Sequence, residues 1–131
     1  MDSTVLIIFK PDCVRRGLTG KVIQRFVDRD VQILSLRMFD TGSADKFLRE
    51  TYSEHKDKPW FENQIKFMNS GPIIVAVMSC DSKSGRDLVG NRSTPGTIRG
   101  DYATGIRENV IHCSDSQTAA AFEINIWKDI L

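Results

Sequence analysis

The chain has 131 residues, enough for one domain over residues 1–131 that buries roughly two-thirds of its unfolded surface without help from a metal or disulfide. Its 18 basic and 17 acidic side chains nearly cancel, which argues against a nucleic-acid or membrane partner and leaves any attraction for anions to local clusters. Three cysteines, Cys13, Cys80 and Cys113, form no C-x-x-C pair and cannot all pair within one chain, which fits a reducing, cytoplasmic setting.

The opening apolar run from Met1 to Phe9 is too short to span a bilayer and lacks the layout of a signal peptide. Within it, residues 4–9 (TVLIIF) are continuously apolar and rich in β-branched side chains, then stop at Lys10-Pro11-Asp12. That pattern predicts a central strand covered on both faces. Residues 19–28 follow, with Val22, Ile23, Phe26 and Val27 on one face of a helix. Residues 31–39 alternate as a strand does, and residues 43–52 return to helical spacing through Ala44, Phe47, Leu48 and Tyr52. A short helix over 60–69 follows Pro59, and Ser70-Gly71-Pro72 turns the chain into a second buried strand at 73–79. Asp81 is placed to cap a helix reaching about Val89.

Residues 90–102 (GNRSTPGTIRGDY) hold three glycines, a proline and two arginines with little apolar periodicity, and they read as a loop. A strand around Val110-Ile111 and a helix starting near 114–116, with Ala119, Ala120, Glu123 and Trp127 along one side, close the chain. Strands alternating with helices in this order point to an α/β sandwich, compatible with a four-stranded antiparallel sheet covered by helices.

Four blocks then carry a resemblance: Lys10-Pro11-Asp12 after the first strand, MNSGP at 68–72, PGTIRGD at 95–101 and NVIHCSDS at 109–116. The last is similar to an N-x-x-H-x-S-D-S signature, and with the other three in order the chain resembles a nucleoside diphosphate kinase from about Thr4 to Trp127. The resemblance implies a ferredoxin-like fold, Mg²⁺ dependence and a ping-pong exchange between nucleoside triphosphates and diphosphates. It also implies a homo-oligomer, with a hexamer favoured over a tetramer.

Histidine suits a nucleophile that must accept and then release phosphate, since near neutral pH much of the imidazole keeps a free lone pair. A lone histidine at a strand end is ordinarily structural, but the block around His112 reverses that reading. Glu123, which occupies the family's orienting position, is the candidate acceptor that fixes the tautomer. Phosphoryl transfer otherwise asks for positioning and positive charge. By resemblance Lys10, Arg86 and Arg99 supply the charge, while Tyr52 and Asn109 supply neutral hydrogen bonds. Asp115 either binds Mg²⁺ through water or caps the last helix, with capping slightly preferred, and Ser114 and Ser116 share that capping alternative. Trp60 stands where the family stacks an aromatic on the base, opposite Ile106, unless it is a core tryptophan.

Several features depart from the family pattern. The segment between Arg86 and Pro95 is shorter than usual, which makes Thr94 the chosen phosphate contact while leaving Arg92 and Ser93 open. Gln64 replaces a usual apolar residue and Arg107-Glu108 replace Gly-Arg, so two polar side chains, Gln64 and Arg107, are expected at the base, where they would select pyrimidines. The chain also ends soon after Trp127, where relatives commonly continue with a tail on a neighbouring subunit. Two rival readings compete with the kinase. A nucleotide sensor is disfavoured because the full set of site residues is present. An RNA-binding ferredoxin-like domain is disfavoured because it would want exposed strand aromatics and a basic face.

Overall fold

The computed structural model describes residues 3–131, so Met1 and Asp2 of the opening run lie outside the described residues. Four strands form one sheet: β1 (Val5–Phe9), β2 (Gln32–Phe39), β3 (Ile73–Ser79) and β4 (Ile111–Cys113). Their order is β2-β3-β1-β4 and all three pairings are antiparallel, the ferredoxin-like arrangement. β1 sits between β3 and β4, and all five of its residues are fully buried.

The continuous apolar run in β1 has a direct cause. Successive side chains on a strand point to opposite faces, and here helices cover both. Val5, Ile7 and Phe9 enter a core with Val22 and Phe26 of α2 (Thr19–Val27), Leu88 of α5 (Ser82–Val89) and Ile98 of α6 (Ile98–Tyr102). Leu6 and Ile8 enter a second core with Leu48 of α3 (Asp45–Thr51), Ile65 of α4 (Phe61–Met68) and Trp127 of α7 (Gln117–Trp127). The order of strands and helices therefore follows the reading from periodicity, with element ends shifted by one or two residues.

The structure corrects that reading in four places. Pro11–Arg15 form a short helix, α1, whose first position is the proline, where its missing N–H costs nothing. The stretch 90–102 contains α6, which the glycine- and threonine-rich composition hides. Thr97 caps it by accepting from the Gly100 N–H at 3.0 Å, and Ile98 is fully buried. Strand β4 begins at Ile111, because Val110 lies in a tight turn. Asp115 does not cap α7; that role falls to Ser116, whose Oγ accepts from the Ala119 N–H at 3.0 Å. Asp81 does cap α5, accepting from the Ser84 N–H at 2.8 Å.

Candidate active site

His112 occupies the middle of β4, opposite Ile8 of β1. Strand alternation sends its neighbours Ile111 and Cys113 into the core shared with α2 and α5, and sends His112 to the other face, beneath α7. On α7, Ala120, Glu123 and Trp127 form the buried side. Trp127 anchors it, donating from Nε1 to Thr51 Oγ1 at 2.8 Å and lying against Phe39 and Phe47. One turn earlier, Glu123 meets the histidine: Nε2 and Oε1 are 2.9 Å apart, with side chains only 16% and 9% exposed.

A carboxylate accepts only, so Nε2 carries the hydrogen and the neutral ring keeps its lone pair on Nδ1. Nδ1 has no hydrogen bond among the described residues. Ser114 extends the chain of contacts. Its hydroxyl donates to the same Glu123 Oε1 at 2.8 Å, while its oxygen accepts from the Leu6 N–H at 3.0 Å. Tyr52 stands edge-on to the imidazole, with ring centroids 5.5 Å apart. Its hydroxyl is buried near the Gln64 amide without forming a good hydrogen bond. Burial, and next the charge of Glu123, push its pKa well above the ordinary phenol value.

Lys10 follows directly on β1 and is 4% exposed, with Nζ donating to Asn109 Oδ1 at 2.6 Å. Burial is the main reason its pKa falls to about 7, and the charge of Arg99 adds to it, while Asp12 and Glu108 pull the other way. Arg99, on α6, donates from Nη2 to the Ile111 carbonyl at 2.7 Å and so sets its charge beside His112. Its Nε is buried with no partner. Its pKa is lowered, first by burial and then by Arg86. Arg86 pairs with Asp115 at 2.9 Å. An ammonium at the edge of ionisation, two mutually repelling guanidiniums and two buried donors lacking an acceptor describe a site short of negative charge.

A cavity of about 710 Å³ opens from this cluster. Of the residues singled out from sequence, Lys10, Tyr52, Trp60, Gln64, Ile106, Arg107, Asn109, His112, Asp115 and Glu123 line it. Arg86 and Arg99 are not among the lining residues, but they adjoin it, Arg86 through Asp115 at 2.9 Å and Arg99 through the Ile111 carbonyl at 2.7 Å. Of the three loop candidates, Arg92 lines the cavity, while Thr94 turns its hydroxyl to Asn91 Oδ1 at 3.0 Å. Trp60 is 42% exposed and tilted against His55 at 5.0 Å, which disposes of the core-tryptophan alternative; Trp127 fills that role. Ile106, 79% exposed, faces the same cavity from the loop before β4.

Sequence reasoning gave no site role to Glu54, His55 or Glu108, which also line the cavity, and read Ser114 as a capping alternative where its hydroxyl bonds Glu123. It also missed Val110, fully buried with φ +67°, a conformation that β-branched residues rarely adopt. The Ile111 N–H donates to the Asn109 carbonyl at 2.8 Å across it, closing a γ-turn of the strained hand between the two site residues Asn109 and His112. Such a conformation costs of order 1–3 kcal/mol and persists only when its surroundings hold it.

The described residues include no cluster of three or more carboxylates, histidines or cysteines that would hold a metal alone. A magnesium ion bound through nucleotide phosphates and waters needs only a carboxylate or two, and Asp115 on the cavity wall fits that donor set.

Known proteins of similar sequence and fold identify the family. The family profile described as nucleoside diphosphate kinase matches residues 3–129. Nucleoside diphosphate kinase B of Bos taurus is 38% identical over 92% of this chain and 82% of its own length. The nucleoside diphosphate kinase of Streptomyces coelicolor is 40% identical over 97% of this chain and 96% of its own. A crystal structure of the Aquifex aeolicus nucleoside diphosphate kinase superposes with a TM-score of 0.88 at 33% identity, covering 96% of this chain and 94% of that one. The chain belongs to the nucleoside diphosphate kinase family, phosphotransferases acting on nucleotides.

Proposed function

We propose that the chain exchanges the terminal phosphate between nucleoside triphosphates and diphosphates by a ping-pong route through a phosphohistidine at His112. The observation that carries this reading is the His112 Nε2 to Glu123 Oε1 contact of 2.9 Å, which leaves Nδ1 as the free nucleophile. In the first half-reaction Nδ1 attacks the γ-phosphorus and the bond to the bridging oxygen breaks. The diphosphate departs with the electron pair, and the positive charge on the ring is shared with Glu123. A second diphosphate then attacks the phosphoimidazole and regenerates the neutral histidine.

Lys10, Arg99 and Arg86 supply positive charge for the phosphate oxygens, and the unpartnered Tyr52 hydroxyl and Arg99 Nε gain acceptors when phosphate arrives. Arg92 takes the loop contact in place of Thr94. When bound, Mg²⁺ neutralises charge on the phosphates, and Asp115 is the residue that would hold it, through water. Trp60 and Ile106 grip the base from its two sides. Gln64 and Arg107 donate to pyrimidine carbonyls, so that Gln64→Leu with Arg107→Gly should even out kcat/KM for UDP, dTDP, CDP and GDP; unchanged ratios would dismiss them as selectors.

The working form is a homo-oligomer. Edge strand β2 leaves Leu34, Leu36 and Met38 between 46% and 53% exposed, an apolar surface that a second copy would cover. No helix among the described residues is long and apolar enough to cross a membrane.

The test is direct: incubation with γ-labelled ATP and Mg²⁺ should give an acid-labile, base-stable phosphoprotein that unlabelled diphosphate discharges. Absence of label, or full label in His112→Ala, would overturn the proposal.

A further inference from the structure

We propose that Asp12 is a positioning residue for the reaction: its carboxylate clamps the strained Val110 turn and so fixes where β4, and His112 on it, begins. Asp12 is 5% exposed on the short helix α1, far in sequence from the histidine. Its Oδ2 accepts from the Val110 N–H at 3.1 Å, while Oδ1 is buried without a partner. A buried carboxylate with half its acceptor capacity unused is an expensive way to bind one backbone amide. The amide it binds belongs to a buried β-branched residue at φ +67°.

The same turn is held from its other side. Lys10 N–H donates to the Val110 carbonyl at 2.9 Å, so the Lys10-Pro11-Asp12 segment grips both polar groups of that one residue. Asn109 before the turn receives Lys10 Nζ, and His112 lies two residues after it. Without the clamp, Val110 is free to relax toward ordinary strand angles. That would rotate Asn109 and His112 relative to each other and move Nδ1 off the phosphorus. Misplacement by about 1 Å at a reacting centre costs about a hundredfold in rate.

The inference rests on His112 being the phosphoryl acceptor, and its test separates the two. Phosphoenzyme formation would be followed in a single turnover at saturating ATP and Mg²⁺ for the wild type, Asp12→Asn and Asp12→Ala, with rates referred to folded protein. Asparagine keeps an oxygen facing the Val110 amide; alanine does not. We expect Asp12→Ala to label at least about tenfold more slowly and Asp12→Asn to recover to within about threefold. If Asp12→Ala does not fold, Asp12→Glu replaces it: charge is retained, the acceptor is displaced by one methylene, and the same fall is expected. Equal rates in all folded variants, with only the melting temperature lowered, would overturn the positioning role. Equal losses in Asp12→Asn and Asp12→Ala would also overturn it, because the acceptor would then not be what matters. A wild type that takes no label would overturn the acceptor role of His112 instead.

Discussion

At the His112 end of the cavity the working side chains are buried and tied to the sheet, whereas at the Trp60 end they stand in solvent on short helices and loops. Lys10, Ser114 and Glu123 are each under 10% exposed, against 42% for Trp60 and 79% for Ile106. Ser114 is bonded to Glu123 and to Leu6 of β1, and Lys10 to Asn109 and the Val110 carbonyl. The exposed pair holds its places through the loop before β4 and the start of α4. Transfer of phosphate gains from groups fixed in advance, because any reorganisation would be charged to the barrier. Recognition of any base requires only two apolar surfaces to slide between, because every base presents a π-face. Rigidity is thus spent where bonds change and withheld where substrates vary.

If that contrast is right, substitutions at the buried end should act on kcat and those at the open end on KM. The largest effect is expected for Glu123→Gln, which leaves Nε2 without an anionic acceptor: kcat should fall roughly a hundredfold with little change in KM, as steady-state assays would show. A rise in KM alone would break the contrast. Ser114→Ala should lower kcat about tenfold, since it strips one partner from Glu123 and strands the Leu6 N–H. Stability should fall by about 1–3 kcal/mol in urea titrations. Trp60→Ala should raise KM about fivefold for purine and pyrimidine diphosphates alike, with kcat held within about twofold.

The smallest effect concerns protons. With Lys10 lowered to about 7 in the folded chain and at its ordinary 10.5 when unfolded, the unfolded state binds an extra proton between those values. The cost of burying the charged amine is therefore full below about pH 7, and the Lys10 contribution to stability rises with pH up to about 10.5. Nucleotide phosphate beside the amine restores its charge, so binding near pH 8 should take up a fraction of a proton. Calorimetry in two buffers of different ionisation heat would detect it, and Lys10→Met should abolish it.

The same division governs how much could be read from the sequence. The sheet was legible because β1 and β3 are unbroken apolar runs, and Lys10, Arg99, Asn109 and His112 stood out as candidates because they sit in short contiguous blocks. Contacts between distant segments were not. Ser114 meets Leu6 across 108 residues and Asp12 meets Val110 across 98, and no local pattern marks either. Helix α6 escaped because its stability comes from elsewhere: Ile98 buried in the core, and Asp101 paired with Arg25 of α2 at 2.7 Å. The capping role slightly preferred for Asp115 falls instead to Ser116, which shared that alternative and offers the same chemistry one residue later.

The contact between His112 and Glu123 fixes which imidazole nitrogen should take the phosphate. Nitrogen-15 and phosphorus-31 NMR of phosphorylated, histidine-labelled protein should show a single phosphohistidine at His112 bonded through Nδ1, with Nε2 still protonated against Glu123. Phosphate on Nε2 would contradict the geometry from which the mechanism was built.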